Sequence, residues 1–189
     1  MRFLLAVLAM VAGGAASAEA AILYVNDFAA LPNQVVQIPV WAIGDEEVLG
    51  INLYVQIDTG GNTPPVITGI VLDDPGLAWG GQVAPPFVLA NDARTWLGQT
   101  TVLELDDAIQ LSSTPVVVAY VLVDTAGTFS GQSFQLRLGG IEPGIFPPAG
   151  AFSDLTVPGE VRDGTIFIIP EPATMFFLVA GLFLLRRTR

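Results

Sequence analysis

Alternation of apolar and polar side chains at every second position dominates the interior of this chain and constrains its fold more than any other feature. Residues 49–58 and 134–138 follow this period closely, and residues 36–40 follow it around Pro39. The pattern is typical of a β-strand with one buried face, because successive side chains of a strand point to opposite faces. No interior stretch of about eleven residues combines helical spacing with freedom from Gly and Pro. The interior is therefore expected to be all-β.

Turn-forming residues divide the interior into short segments. The chain has 20 Gly and 14 Pro without a fixed period, as expected for many turns between short strands. Residues 116–124 are apolar on both faces and predict a central strand, whereas Pro39 predicts an edge position for its own strand. We expect about eight or nine strands in a single antiparallel β-sandwich that spans residues 21–169. The other predicted strands are residues 22–25, 66–72, 100–105 and 164–169.

Residues 1–20 have the features of a secretory signal peptide. Arg2 precedes an apolar run of about a dozen residues, and small residues precede two cleavage positions, after Ala18 and after Ala20. The run is short for a membrane span, which needs ~20 residues. The sequence therefore predicts export through the inner membrane and removal of this segment, with an uncleaved anchor as the alternative.

Residues 170–189 form a second segment outside the predicted domain. Pro170-Glu171-Pro172 directly follows the last predicted strand, residues 173–185 carry no charge, and the chain closes with Arg186, Arg187 and Arg189. The 13 residues of the apolar run would form a helix of ~20 Å, which is short for a hydrocarbon core of ~30 Å. A basic tail favours the cytoplasmic side. These features predict transient anchoring of residues 173–185 in the inner membrane.

The order of these C-terminal parts resembles the PEP-CTERM sorting signal. The matching residues are Pro170, Glu171 and Pro172, the pair Gly181 and Leu182 in the apolar run, and Arg186 and Arg187. Ile169 stands where Val is more usual. The resemblance implies processing by an exosortase, a membrane transpeptidase-like enzyme of Gram-negative bacteria that make exopolysaccharide, and a final location at the cell surface or in the extracellular matrix. A plain C-terminal membrane anchor is the alternative.

The interior resembles the cohesin-like sandwich, which is related to a branch of carbohydrate-binding modules. The matching segments are residues 31–40, 50–58, 117–123 and 163–168. Asn33-Gln34 replaces the usual Gly and acid, and residues 76–99 have no clear counterpart. The resemblance implies a jelly roll that binds or scaffolds rather than catalyses.

Missing residue types exclude most catalytic chemistry. The chain has no His, no Cys and no Lys, since all seven basic residues are Arg. Ser-His-Asp triads, Cys nucleophiles, Lys Schiff bases and His-bearing zinc sites are therefore excluded. We expect a non-enzymatic protein without a cofactor, and a small surface glycoside hydrolase that uses paired carboxylates is the alternative.

The net charge of the predicted domain limits the kinds of partner that it can bind. Once both terminal segments are removed, residues 19–170 keep three Arg against 17 acids, a net charge of −14. Such a surface repels nucleic acid. An exopolysaccharide or another surface protein is therefore expected as the partner of the sandwich.

Two tryptophans in polar, Gly-flanked contexts are candidates for glycan contact. Trp79 and Trp96 would stack on sugar rings if they were exposed, with Asn91, Asp92 and Gln99 as hydrogen-bond partners. Burial of either ring under a long loop is the alternative.

Acidic clusters near predicted strand ends are weaker candidates for a calcium site. Calcium takes about six to eight oxygen ligands, often from loops, but the chain lacks EF-hand spacing. Solvated loop charge is the alternative. The candidate ligands are Asp45, Glu46, Glu47, Asp73, Asp74, Asp106 and Asp107.

Overall fold

The computed structural model describes residues 21–45, 47–48, 50–58, 63–80, 83–101, 108–138 and 160–171. The predicted signal peptide, residues 1–20, and the segment 172–189 lie outside the described residues. Within the described ranges the chain forms thirteen strands and no helix. The strands are β1 (Ile22–Val25), β2 (Phe28–Ala30), β3 (Val35–Ile43), β4 (Glu47–Val48), β5 (Gly50–Ile57), β6 (Val66–Val71), β7 (Phe87–Asp92), β8 (Thr95–Thr101), β9 (Ile109–Gln110), β10 (Val116–Asp124), β11 (Ser133–Leu138), β12 (Glu160–Arg162) and β13 (Gly164–Ile168).

Two large sheets pack face to face and confirm the predicted β-sandwich. The first has five strands in the order β12-β1-β3-β10-β6, and the second has six in the order β2-β13-β11-β5-β8-β7. Across the core, β6 packs against β7 and β8, while β1 and β12 pack against β11. Strands β4 and β9 form a separate short pair.

Most strand pairs of the two large sheets are antiparallel, as predicted, but each sheet also contains one parallel pair. β1 pairs in parallel with β12, and β2 pairs in parallel with β13. Two of the places where the chain crosses from the first sheet to the second lie side by side, namely the crossing between β1 and β2 and the crossing between β12 and β13. The two crossings run in the same direction, so β12 lies parallel to β1 and β13 lies parallel to β2.

Gly164 allows the two crossings to lie against each other. A Cβ atom at this position would lie 2.7 Å from the carbonyl oxygen of Val25 and 2.8 Å from that of Asn26. Both distances are too short for a side-chain carbon, and backbone atoms have little room to move away. The amide of the next residue, Thr165, donates to Oδ1 of Asp27 at 2.9 Å and holds the crossings together.

The alternating pattern builds the core as predicted. In β5 the inward residues Ile51, Leu53, Val55 and Ile57 are at most 1% exposed, whereas the intervening polar residues are partly exposed. β10 lies between β3 and β6 and is therefore the central strand that its apolar run predicts. Burial of these side chains supplies the main driving force for folding, since the chain has no Cys and hence no disulfide.

Pro39 departs from its predicted edge position. It lies in β3, which has β1 on one side and β10 on the other. The β1 pairing ends where Val25 meets Val40, so β1 does not extend beside Pro39. The inner strand tolerates a residue without an N–H because one of its flanks is locally an edge.

Strand boundaries between residues 83 and 110 differ most from the prediction. β8 begins at Thr95 rather than at residue 100, and β7 was not expected. The short strands β2, β4, β9 and β12 contain only two or three residues each. Segments of this length are too short to establish a period in the sequence.

Candidate functional site

The outer face of the six-stranded sheet is formed by alternate residues of β5, β7 and β8. Gly98 of β8 points inward, because a Cβ atom there would lie 3.0 Å from Cγ2 of Ile70 and 3.1 Å from Cδ1 of Leu72 in the opposite sheet. Its neighbours Leu97 and Gln99 therefore point outward. Close packing at Gly98 brings the two sheets together behind this face.

Two large apolar side chains of β7 are exposed on this outer face. Phe87 lies opposite Gln99 and is 55% exposed, and Leu89 lies opposite Leu97 and is 43% exposed. Val88, between them, faces inward and packs against the core. An edge strand that exposes its larger apolar residues to solvent is unusual unless the surface has a binding role.

The exposed residues continue across β8 onto β5. Leu97 lies opposite Tyr54, and Gln99 lies opposite Asn52. Leu97, Tyr54 and Asn52 are each half-buried. The face formed by Phe87, Leu89, Leu97, Gln99, Asn52 and Tyr54 is called the β7–β8–β5 face below.

An ion pair closes the β11 side of this face. Arg137 lies opposite Gln56 of β5, and its guanidinium Nη2 lies 2.8 Å from Oδ2 of Asp58. The two side chains are 35% and 43% exposed, so solvent screens the pair and its contribution to stability is small. It gives the apolar strip a polar boundary.

Trp79 lies in the core, as in the alternative considered for it. The residue is 3% exposed, and its indole Nε1 donates to the carbonyl oxygen of Val118 at 2.8 Å. Val118 lies at a register shift of β10 against β3. In this position the ring has no face available to a sugar.

The other glycan candidates do not share one surface. Trp96 lies two residues before the inward Gly98, on the same face of β8, and packs against the core. Gln99 lies on the opposite face and is exposed. Asn91 is exposed where β7 shifts register against β8, and Oδ1 of the next residue, Asp92, accepts the Arg94 amide at 2.7 Å. Of the predicted set, only Gln99 belongs to the β7–β8–β5 face.

The acidic candidates for calcium are placed at strand ends. Asp45, Glu47, Asp73 and Asp74 are exposed, and Oδ1 of Asp74 accepts the amide of Gly76 at 2.7 Å. Within the described ranges, no three acidic residues come together as a group that could hold a metal ion. Three further candidates, Glu46, Asp106 and Asp107, lie outside the described residues.

A depression of about 470 Å³ lies over the strand crossings and is lined in part by Tyr24, Asp27, Arg162 and Asp163. Both carboxylates are committed to the fold. Oδ1 of Asp27 accepts the amide of Thr165, and Oδ1 of Asp163 accepts the amide of Leu138 at 2.9 Å. The arrangement ties the two sheets together.

The residues of the predicted sorting signal begin just after the last strand of the second sheet. Pro170 and Glu171 follow β13 and are exposed, whereas Pro172, Gly181, Leu182, Arg186 and Arg187 lie outside the described residues. None of the described residues forms a helix long and apolar enough to cross a membrane.

Sequence reasoning missed Phe87, Leu89 and Leu97. The run Phe87-Val88-Leu89-Ala90 is continuously apolar, so its sequence gives no indication of which face is exposed. The preceding Pro85-Pro86 pair is a local signal, since proline in or next to a strand is compatible with an edge position and not with a central one.

Solved structures of cohesins have a fold similar to that of this chain. Cohesin CaCohA2 of Clostridium acetobutylicum is 14% identical, with 80% of this chain and 92% of that chain covered and a TM-score of 0.60. The third ScaC cohesin of Acetivibrio cellulolyticus, solved in complex with the ScaB dockerin, is 10% identical, with 79% and 99% covered and a TM-score of 0.56.

A third similar structure is the third ScaB cohesin of R. flavefaciens in complex with a group 1 dockerin. It is 17% identical, with 84% of this chain and 100% of that chain covered and a TM-score of 0.55. No protein-family model and no curated protein matches the chain. The chain therefore has a cohesin-like β-sandwich fold, as the sequence resemblance implies.

Proposed function

We propose that this chain is an exported, surface-sorted protein whose sandwich is a non-catalytic module that binds another protein through the β7–β8–β5 face. The observation that carries this proposal is the exposure of Phe87 and Leu89, 55% and 43%, side by side on one strand. Apolar side chains grouped on a flat sheet face and bordered by polar residues are typical of protein interfaces.

The chemistry of the face favours a protein over a glycan. Phe87 and Tyr54 of this face are aromatic, but Leu89 and Leu97 have no planar surface that could stack on a sugar ring, and neither Trp79 nor Trp96 lies on this face. Cohesins of similar fold have been solved in complex with dockerins, which are protein partners. A protein partner therefore accounts for the aliphatic part of the face, and exopolysaccharide binding would leave that part unexplained.

The charge of the chain indicates what kind of protein would bind. The formal net charge is −11, so long-range attraction favours a neutral or basic partner. The described part of the face has an apolar strip and an ion pair at its border. For a basic partner we expect the association rate to fall with added salt, while the dissociation rate changes little.

Export and sorting rest on the two ends of the sequence. The segment 170–189 begins two residues after β13 ends, so removal of the tail after Pro170 would leave every described strand intact. In the proposed sequence of events, residues 173–185 hold the protein at the inner membrane until an exosortase acts. The mature sandwich then becomes a component of the cell surface or the extracellular matrix.

Site-specific photo-cross-linking tests the protein-binding proposal. The photoreactive residue p-benzoylphenylalanine replaces Phe87 in one version of the protein and Gln37 in another, and cells that make each version are irradiated. Gln37 is an exposed residue on the outer face of the other sheet and is the control. We expect a discrete protein adduct from position 87 that is absent from position 37. Adducts of equal yield from both positions, or no protein adduct from position 87, would contradict the proposal.

A further inference from the structure

Five of the seven large apolar side chains that are exposed in the described residues lie at one end of the sandwich. Strand register places them there, because Val35 and Val66 both pair with Asp124 at the end of β10. Phe167 pairs with Ser133 at the start of β11, which follows the same end of β10. The five residues are Val35, Val66, Phe129, Phe167 and Ile169, and they are called the exit-end patch because the chain leaves the domain here.

Backbone hydrogen bonds join the segments that form this end. The amide of Asn33 donates to the carbonyl of Thr125 at 3.2 Å, and the amide of Gly131 donates to that of Ile168 at 2.8 Å. The amide of Ile169 in turn donates to the carbonyl of Ala30 at 2.8 Å. These bonds fix the connections on either side of Phe129 and Ile169, so their exposure belongs to an ordered surface.

Two loops of this end carry no charge. Residues 31–34 and 125–132 contain no Asp, Glu or Arg. Asp124 lies among the apolar residues, and its Oδ1 accepts the amide of Ala126 at 2.9 Å. Asp58 and Asp92 lie on the far side of the same end, where Asp58 is paired with Arg137.

The opposite end of the sandwich is acidic. β3 runs from Val35 at the exit end to Ile43, just before Asp45, and β6 runs from Val66 to Val71, just before Asp73 and Asp74. The two ends of the sandwich therefore differ in polarity. Apolar residues surround the chain exit, and several carboxylates lie at the other end.

The length of the connection limits how far this end can be from the apolar run. Ala173, the first residue of that run, lies four positions after Ile169. Four extended residues span at most about 14 Å. If residues 173–185 enter a bilayer, the exit-end patch must therefore lie within the depth of the headgroup region or just above it.

We propose that the exit-end patch rests on the lipid bilayer interface while residues 173–185 are inserted in the membrane. This proposal rests on the anchoring step of the proposed function and is independent of the β7–β8–β5 face. Exposed aromatic residues such as Phe129 enter the interfacial region of a bilayer readily, and the acidic end points away from anionic headgroups. The contact holds the sandwich in one orientation and positions Pro170 and Glu171 at the membrane surface.

A chain without Cys is well suited to a test with single labels. The exported form of the chain, without residues 1–20, is reconstituted into vesicles of phosphatidylcholine and phosphatidylethanolamine with the fluorophore NBD on Ser130→Cys, in the loop next to Phe129. A matched protein carries NBD on Ser113→Cys at the opposite end, and both serines are exposed. Flotation of the vesicles reports insertion of the tail, and nitroxide-labelled lipids report contact between the label and the bilayer.

We expect the label at position 130 to shift its emission to the blue and to lose intensity when nitroxide lipids are present, whereas the label at position 113 does neither. Phe129→Ser in the labelled protein should reduce this quenching without reducing flotation. Flotation without quenching at position 130 would overturn the proposal and leave the anchor intact. A blue shift that nitroxide lipids do not quench would mean that protein, not lipid, covers the patch, and this result would also overturn the proposal. Failure of the vesicles to carry the protein in flotation would show that residues 173–185 do not insert, and it would overturn both the anchoring step and the proposal.

Discussion

The indole Nε1 of Trp79 lies 2.8 Å from the carbonyl oxygen of Val118, in the core of the sandwich. The amide of the preceding residue, Ala78, donates to the carbonyl of Val117 at 2.9 Å. Strand β10 shifts register here, so carbonyls that would otherwise lack a ladder partner are bonded by the segment that connects β6 and β7. Trp79 therefore stabilises an irregular point of the central strand.

Replacing Trp79 by Phe should destabilise the domain more than the same change at Trp96. Trp79→Phe leaves the buried carbonyl of Val118 without its donor and reduces core volume, at an expected cost of about 2–4 kcal/mol in the free energy of unfolding. Nε1 of Trp96 is buried and has no partner among the described residues, so Trp96→Phe loses no described hydrogen bond. Urea unfolding at equilibrium measures both, and equal losses would contradict the role given to Trp79.

Thr125 should tolerate Ser but not Val. The residue is fully buried, and its Oγ1 accepts the amide of Gln34 at 3.0 Å while lying 2.8 Å from the carbonyl oxygen of Leu31. Thr125→Val keeps the shape but leaves these backbone groups unpaired, at a cost of about 2–3 kcal/mol. Thr125→Ser keeps the hydroxyl and should cost about 1 kcal/mol. Thermal or urea unfolding measures the stability of both variants. A Thr125→Ser protein that is less stable than the Thr125→Val protein would refute this prediction.

Gly164→Ala should prevent the close approach of the two strand crossings. The added Cβ would meet backbone oxygens at 2.7 Å and 2.8 Å, so we expect a loss of about 3 kcal/mol or more. Gly69→Ala is the matched control, because its Cβ would meet only side-chain atoms of Leu122, the nearest being Cδ1 at 3.3 Å, and that side chain can move. The control should change stability by less than about 1 kcal/mol. Similar unfolding midpoints for the two variants would contradict this interpretation.

The mature protein should lack both terminal segments. Intact-mass spectrometry of protein recovered from the cells that make it should give an N-terminus after Ala18 or Ala20 and a C-terminus near Pro170. This mass is expected because the last described strand ends just before the proposed sorting signal. An exported protein that still ends at Arg189 would contradict exosortase processing.

Local periodicity was enough to predict much of the sandwich. In β5 and β11, strict alternation identified both the strand and its buried face, because each has one side on the core and one toward solvent. The parallel pairing of β1 with β12 joins residues that are far apart in the chain, and no local pattern encodes it. The edge position predicted for Pro39 was wrong for a related reason. Pro39 fits in an inner strand because the neighbouring strand β1 ends at Val25, and the sequence around Pro39 does not show where β1 ends.

The candidate site was less predictable than the fold. Trp79 and Trp96 have similar Gly-flanked contexts in the sequence. The position of Trp79 depends on the register shift in β10, whereas Trp96 points inward because it lies on the same face of β8 as Gly98. Phe87 and Leu89 lie in a continuous apolar run, which suggests burial. Only the position of β7 at the edge of the sheet exposes them.

The most direct test of the central claim is the affinity of the cross-linked partner, once purified, for wild-type protein and for the double variant Phe87→Ser/Leu89→Ser. Calorimetric titration should show a loss of about 2 kcal/mol or more, roughly thirtyfold in Kd, because these residues would form the apolar centre of the interface. Val35→Ser, a change at a 62% exposed residue of the other sheet, should leave Kd unchanged. Equal affinities of the wild type and the double variant would contradict binding through the β7–β8–β5 face.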